Sequence, residues 1–300
     1  MTTKSNAMDD SFGPREITPA NPSTTRPFYW SVQRELWEYR SIYLAPLAVA
    51  GVTLFAFLFA TIGRSMATPD LNRRLELLEA PYTFTSGIIM GTVFIVGLFY
   101  CLDTLFGERR DRSILFWKSL PVSDLTTVLS KAVIPLVILP LVGFVVTFVT
   151  QLIMLLSSTL VVSASGLSVS AFWNSVALFS NSAVLLYHLL TVHALWYAPI
   201  YGWLLLVSAW ARRAAFLWAV LPGFAIFGFE KIAFNSYHFC NWLKYRFGGP
   251  EAFDLSMAEG AMGHMSLARF LATPGLWWGF VFAAVFLFAA ARIRRARGPI

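Results

Sequence analysis

From Ala132 to Ala211 the chain runs for 80 residues without a single Asp, Glu, Lys or Arg. A stretch of this kind cannot form the amphipathic elements of a soluble fold, which need a charged face toward water. It is too long for one membrane crossing, which takes about 20 apolar residues. Gly166, Ser168, Ser170 and Asn174 break it, so the sequence predicts spans over 132–157 and 185–210, closed by Arg212 and Arg213. Further apolar runs of spanning length cover 43–63, 84–106, 214–233 and 275–293. The expected fold is therefore an all-α integral membrane protein with six transmembrane helices. Composition agrees: 57% of the residues are hydrophobic and 13% charged, against roughly 45–50% and about 25% in soluble domains.

The net charge of +7 would ordinarily raise the question of a nucleic-acid partner. Its distribution answers otherwise. With both termini cytoplasmic, the inner segments hold sixteen Lys and Arg against nine acids, and the outer segments hold seven of each. The whole excess lies on one face, as the positive-inside rule requires of a multi-pass protein. The expected localisation is the plasma membrane, a bacterial inner membrane, with no nucleic-acid partner. Residues 1–27, polar and carrying Pro14, Pro19, Pro22 and Pro27, read as a disordered cytoplasmic tail without a signal-peptide core. Cys101 and Cys240 have neither disulfide context nor metal spacing.

Residues 28–40 form a separate element. Drawn as a helix, Phe28, Tyr29, Val32, Leu36, Tyr39 and Tyr43 share one face, and Ser31, Arg34, Glu35 and Glu38 the opposite one. Trp30 and Trp37 flank the boundary, which predicts an interfacial amphipathic helix lying on the lipid bilayer. Between the fifth and sixth spans, residues 235–273 combine Trp242, Tyr245, Phe247 and Phe253 with Gly248, Gly249 and Pro250, and read as a short helical or re-entrant outer segment.

The segment joining the second and third spans, 107–123, carries the strongest functional signal. Glu108, Arg109, Arg110, Asp111 and Arg112 are followed by a short apolar helix with Ile114, Leu115 and Trp117, and the helix stops at Leu120-Pro121. Ser123 is placed to cap the next helix, which carries Asp124 and Lys131. Charges beside an apolar knob suit docking against a soluble partner. The alternative is ordinary positive-inside charge ahead of a helix start.

This segment resembles the coupling-helix region of ABC-2 type transporter permeases, on Glu108-Arg109, Leu120-Pro121-Val122-Ser123 and Lys131. The six-span layout, the interfacial helix and the extra segment before the last span are similar as well. Arg112-Ser113 departs from the Gly-Thr of many relatives. The resemblance implies a permease subunit of an exporter that pairs with a second permease copy or homologue. It implies that residues 107–123 dock on a separate ABC ATPase subunit. The chain has no G-x-x-x-x-G-K-[ST] loop. It is therefore expected to bind no cofactor and to be no enzyme by itself, with ATP and Mg held by the partner ATPase.

Two other classes stand beside this one. An ion-coupled secondary transporter needs buried carboxylates near mid-membrane, and Asp103 lies close to the interface, where an Arg-paired or surface carboxylate is expected. An intramembrane enzyme needs a catalytic constellation, and none is evident. His188 and His193, five residues apart, do not stack on one α-helical face as an i, i+4 metal pair does, so no metal site is expected and both are read as lining helix contacts or the path. Gln151, Asn174 and Asn181 are candidate interhelical hydrogen bonders, Glu230 and Lys231 a candidate interfacial pair, and Gly87/Gly91 a candidate close-packing motif. Pro135, Pro140, Pro199 and Pro222 are expected to kink their spans.

Overall fold

The computed structural model describes residues 25–67, 70–120, 122–166, 168–249 and 267–300. Residues 1–24 of the expected N-terminal tail, Pro121 and the middle of the 235–273 segment lie outside the described residues, while residues 25–27 of that tail belong to the first helix. Among the described residues every regular element is helical, and six helices are long and apolar enough to cross a membrane.

Helix α1 (Thr25–Glu38) leads through Tyr39-Arg40 into α2 (Ser41–Ala56), which continues through a π-helical stretch (Phe57–Thr61) into α3 (Ile62–Ala67). Helix α4 (Leu71–Arg110) is followed by the six-residue α5 (Ile114–Ser119). Next come α6 (Asp124–Val133), a π-helical stretch (Ile134–Ile138) and α7 (Leu139–Ala164), which together form one crossing. Helices α8 (Val169–Val176) and α9 (Leu178–His188) meet at Ala177, and a third π-helical stretch (Leu189–Trp196) leads to α10 (Ala198–Trp210). The chain finishes with α11 (Ala215–Phe234), α12 (His238–Gly248), α13 (Leu267–Ala272) and α14 (Pro274–Ala296).

The second and third crossings reach beyond the apolar runs that announce them, over Glu76–Arg110 and Asp124–Ala164. The fourth differs more. The helix of spanning length is Val169–Trp196, and Ala198–Trp210 follows it as a shorter apolar helix. The polar residues at 168–174 do not make a long loop. Ser168 accepts the Ala171 N–H at 3.3 Å and starts α8 at once.

Two of the π-helical stretches precede a proline. Pro140 lacks the N–H that would bond Leu136, and Pro199 the one that would bond Leu195. Both of those carbonyls lie inside the wide turns, at 134–138 and 189–196.

Helix α10 is the centre of the bundle, packed between α4 and α14. In lipid the hydrophobic effect does not drive helices together, so close approach of backbones carries the association. Gly97 on α4 faces the Tyr201 ring, Gly202 on α10 faces the backbone of Ala283, and Gly143 on α7 faces Val93. Gly87 and Gly91 face open space, so among the described residues the spacing singled out in the sequence brings no other helix close. Ser208 ties α10 to α4 in another way. Its hydroxyl accepts the N–H groups of Leu105 and Phe106, at 3.2 and 2.9 Å, and donates to the Leu102 carbonyl at 2.8 Å. Helix α11 is the least buried of the six and leans on α10 through Trp203 Nε1, which donates to the Ala219 carbonyl at 3.1 Å.

Candidate functional site

At the end of the bundle that carries α5, four elements meet around a buried set of charges. Glu35 of α1 and Lys131 of α6 are 2.7 Å apart, and neither side chain is more than 1% exposed. Glu35 also accepts from Tyr100 at 2.9 Å and from Thr104 at 3.0 Å, and Lys131 donates to Thr104 at 2.8 Å. Glu108, at the end of α4, meets three cations from three elements: Arg34 at 2.6 Å, Lys131 at 3.1 Å and Arg294 of α14 at 3.3 Å. Arg294 pairs in addition with Asp124. Buried charges persist only when paired and hydrogen-bonded, and here each carboxylate has at least one cation.

The helical pattern explains how Glu35 comes inside. Val32 and Leu36 of α1, with Tyr39 just beyond it, pack against the main core of the chain, the face expected to lie on the bilayer, while Trp30 and Trp37 are exposed. The sequence predicts Glu35 on the side of this helix opposite Val32 and Leu36, and the structure corrects that by burying it. Residue 35 stands between 32 and 39 on the buried side, where Lys131 compensates its charge. The lysine that does so is 96 residues away, so no local pattern signals it.

Arg34 links this cluster to α5. Its guanidinium pairs with Glu35, Glu38 and Glu108 and lies 3.7 Å above the Trp117 ring. Burial works against its charge, but the carboxylates of Glu35 and Glu108 outweigh that and raise its pKa. Burial, with Glu35 as a like-charged neighbour, pushes the Glu38 carboxyl above its ordinary value.

The structure divides the 107–123 segment into two sets. Glu108, Arg109 and Ile114 are buried, which corrects their assignment to an outward docking face. Arg109 donates to the carbonyls of Ala209 and Ala211 at 2.8 and 3.0 Å and so closes the C-terminal end of α10. Ile114 is the apolar anchor of α5. Arg110, Asp111, Arg112 and Ser123 are exposed, Leu115 is 59% exposed and Phe116 60%, and Trp117 is half-buried beneath Arg34.

Phe116 was missed in the sequence, although spacing could have found it. On a helix of six residues the side opposite Ile114 and Trp117 carries 115, 116 and 119. Ser123 caps α6 as expected, accepting the Thr126 N–H at 3.0 Å. Arg112 adopts a left-handed backbone with φ +62°, a conformation that glycine takes without steric cost. Asp103 is half-exposed, 3.8 Å from Arg110 and 3.4 Å from the Tyr39 hydroxyl, an Arg-paired carboxylate as the sequence predicts.

At the other end of the bundle, Glu230 and Lys231 do not pair with each other. Glu230 caps α12, accepting from the backbone N–H groups of His238 and Phe239 at 2.6 and 2.9 Å, and Lys231 bonds Asn235 at 2.6 Å. The C-terminal end of α12 rests on the fourth crossing: Trp196 Nε1 donates to the Arg246 carbonyl and the Tyr197 hydroxyl to the Phe247 carbonyl. Gly275 and Gly279 of α14 leave room for Tyr245 and Arg246. Gln151 reaches the Tyr82 carbonyl on α4 at 3.0 Å, whereas Asn181 bonds locally across the Ala177 break and Asn174 is exposed.

No family model matches the chain, and neither curated proteins nor solved structures give a significant match.

Proposed function

We propose that the chain is the membrane-spanning permease subunit of an ATP-binding-cassette exporter, with α5 as its coupling helix. The observation that carries this reading is the mounting of α5. A short helix sits on a paired, buried ion cluster and turns Leu115 and Phe116 outward, rimmed by Arg110, Asp111 and Arg112. A rigid base with an apolar tip and a charged rim suits transmission of a push from a soluble ATPase that binds ATP and Mg. In this reading the α5 end is cytoplasmic, both termini are on that side, the membrane is the plasma membrane, and a second copy or homologue completes the path.

Co-purification from native membranes tests it. The chain should bring down a protein that carries a phosphate-binding loop and hydrolyses ATP. Leu115→Asp combined with Phe116→Asp should abolish that capture while the chain still inserts and purifies as a monodisperse species. A chain that purifies alone and drives transport from an ion gradient would be a secondary transporter instead.

A further inference from the structure

His188 and His193 are five residues apart, which in an α-helix sets them about 140° apart around the axis. The structure brings them together. The stretch Leu189–Trp196 is π-helical, and its i→i+5 hydrogen bonds place residues five apart on one side. The two imidazole rings lie with their centres 6.0 Å apart. His193 is 6% exposed and neither of its ring nitrogens has a hydrogen-bond partner of good geometry. Around it stand Phe94, with a ring centre at 6.0 Å, and Tyr197, at 5.4 Å. The Met90 backbone offers the ring a hydrogen bond, one of poor geometry.

A buried imidazole without a well-formed hydrogen bond at either nitrogen is an uncommon arrangement. Here it coincides with an uncommon helix type that recurs at functional sites, and with a second imidazole beside it. Two imidazoles each about 2.0–2.1 Å from a shared ion have ring centres on the order of 5–6 Å apart, close to the observed separation.

We propose that His188 and His193 form a two-imidazole seat for a first-row transition-metal ion of the Zn²⁺ class. Neutral imidazole nitrogen is the preferred donor for such ions, and hard cations such as Mg²⁺ and Ca²⁺ demand oxygen instead. Among the described residues no third His, Cys, Asp or Glu joins the pair. Among the described residues two of the ion's positions are therefore left to water or to an incoming donor, as in a site that exchanges ligands. Phe94 and Tyr197 wall the pair on its protein side and restrict the approach of water. The assignment is independent of the transporter reading above.

The test is Zn²⁺ titration of the purified full-length chain in detergent, carrying no polyhistidine tag, together with X-ray absorption of the Zn²⁺-loaded protein. One Zn²⁺ per chain is expected, with two imidazoles in its first coordination shell. His188→Phe and His193→Phe keep an aromatic ring in place, and each should weaken binding by about tenfold or more. The variant His238→Ala/His264→Ala removes the other two histidines and should bind as the wild type does. Absence of stoichiometric Zn²⁺, retention of the ion by the His188→Phe/His193→Phe double variant, or an absorption spectrum without two imidazoles would each overturn the assignment. The spectrum is read on wild-type protein, so the outcome stands even where a variant fails to fold.

Discussion

The Lys131 ammonium and the Glu35 carboxylate meet at 2.7 Å, and with Thr104 and Tyr100 they close a hydrogen-bonded box in which nothing faces water. Removing one member costs the others a partner without leaving either charge alone, because Glu35 keeps Arg34 and Lys131 keeps Glu108. Lys131→Met or Glu35→Gln should each destabilise the chain by about 1–3 kcal/mol, the cost of losing a charge-assisted hydrogen bond in a buried cluster. The double variant should cost less than the sum of the two, and thermal unfolding in detergent over the full mutant cycle measures the difference.

Arg112 holds a backbone conformation that costs a side-chain-bearing residue roughly 1–2 kcal/mol. Glycine there avoids this cost and gives back part of the gain as chain entropy. Arg112→Gly should therefore stabilise the chain by up to about 1 kcal/mol, seen as a higher melting temperature.

A Cβ on Gly143 would lie 2.9 Å from Val93 Cγ2. Gly143→Ala should destabilise by about 1–3 kcal/mol despite the better helix propensity of alanine. Adding Val93→Ala should cost less in that background than in the wild type, because it clears the clash. Thermal unfolding of the four proteins gives the coupling.

Arg34→Lys keeps the charge but loses the planar fork that pairs with two carboxylates while covering Trp117. Trp117 should become more accessible, with faster acrylamide quenching and proteolysis within 110–120. Fluorescence should be compared in a variant that retains Trp117 and lacks the neighbouring exposed tryptophans Trp30 and Trp37.

Glu230 caps α12 through two backbone N–H groups. Glu230→Ala should free them, and hydrogen exchange at His238 and Phe239 should accelerate by about tenfold or more while the crossings keep their protection.

What was legible in the sequence is what local chemistry determines. The apolar runs located five of the six helices of spanning length, Ser123 announced a cap, and Asp103 found Arg110 within two turns. The charged cluster was not legible, because Glu35, Glu108, Lys131 and Arg294 are polar residues whose inward direction depends on partners far along the chain. The same holds for Arg109, whose acceptors are the last carbonyls of α10. The His188–His193 approach was hidden for a different reason: the α-helical wheel was the wrong ruler over a π-helical stretch. The fourth crossing shifted because Ser168 and Asn174 looked like a loop and instead start and solvate a short helix.

The order in which Glu108 acquires its cations has a consequence for biosynthesis. Arg34 is already synthesised when Glu108 leaves the ribosome, Lys131 follows shortly, and Arg294 arrives only with the final helix. A nascent chain halted between Lys131 and Arg294 holds this carboxylate one counter-charge short, so the last segment to emerge is the latch that commits the earlier ones to their places.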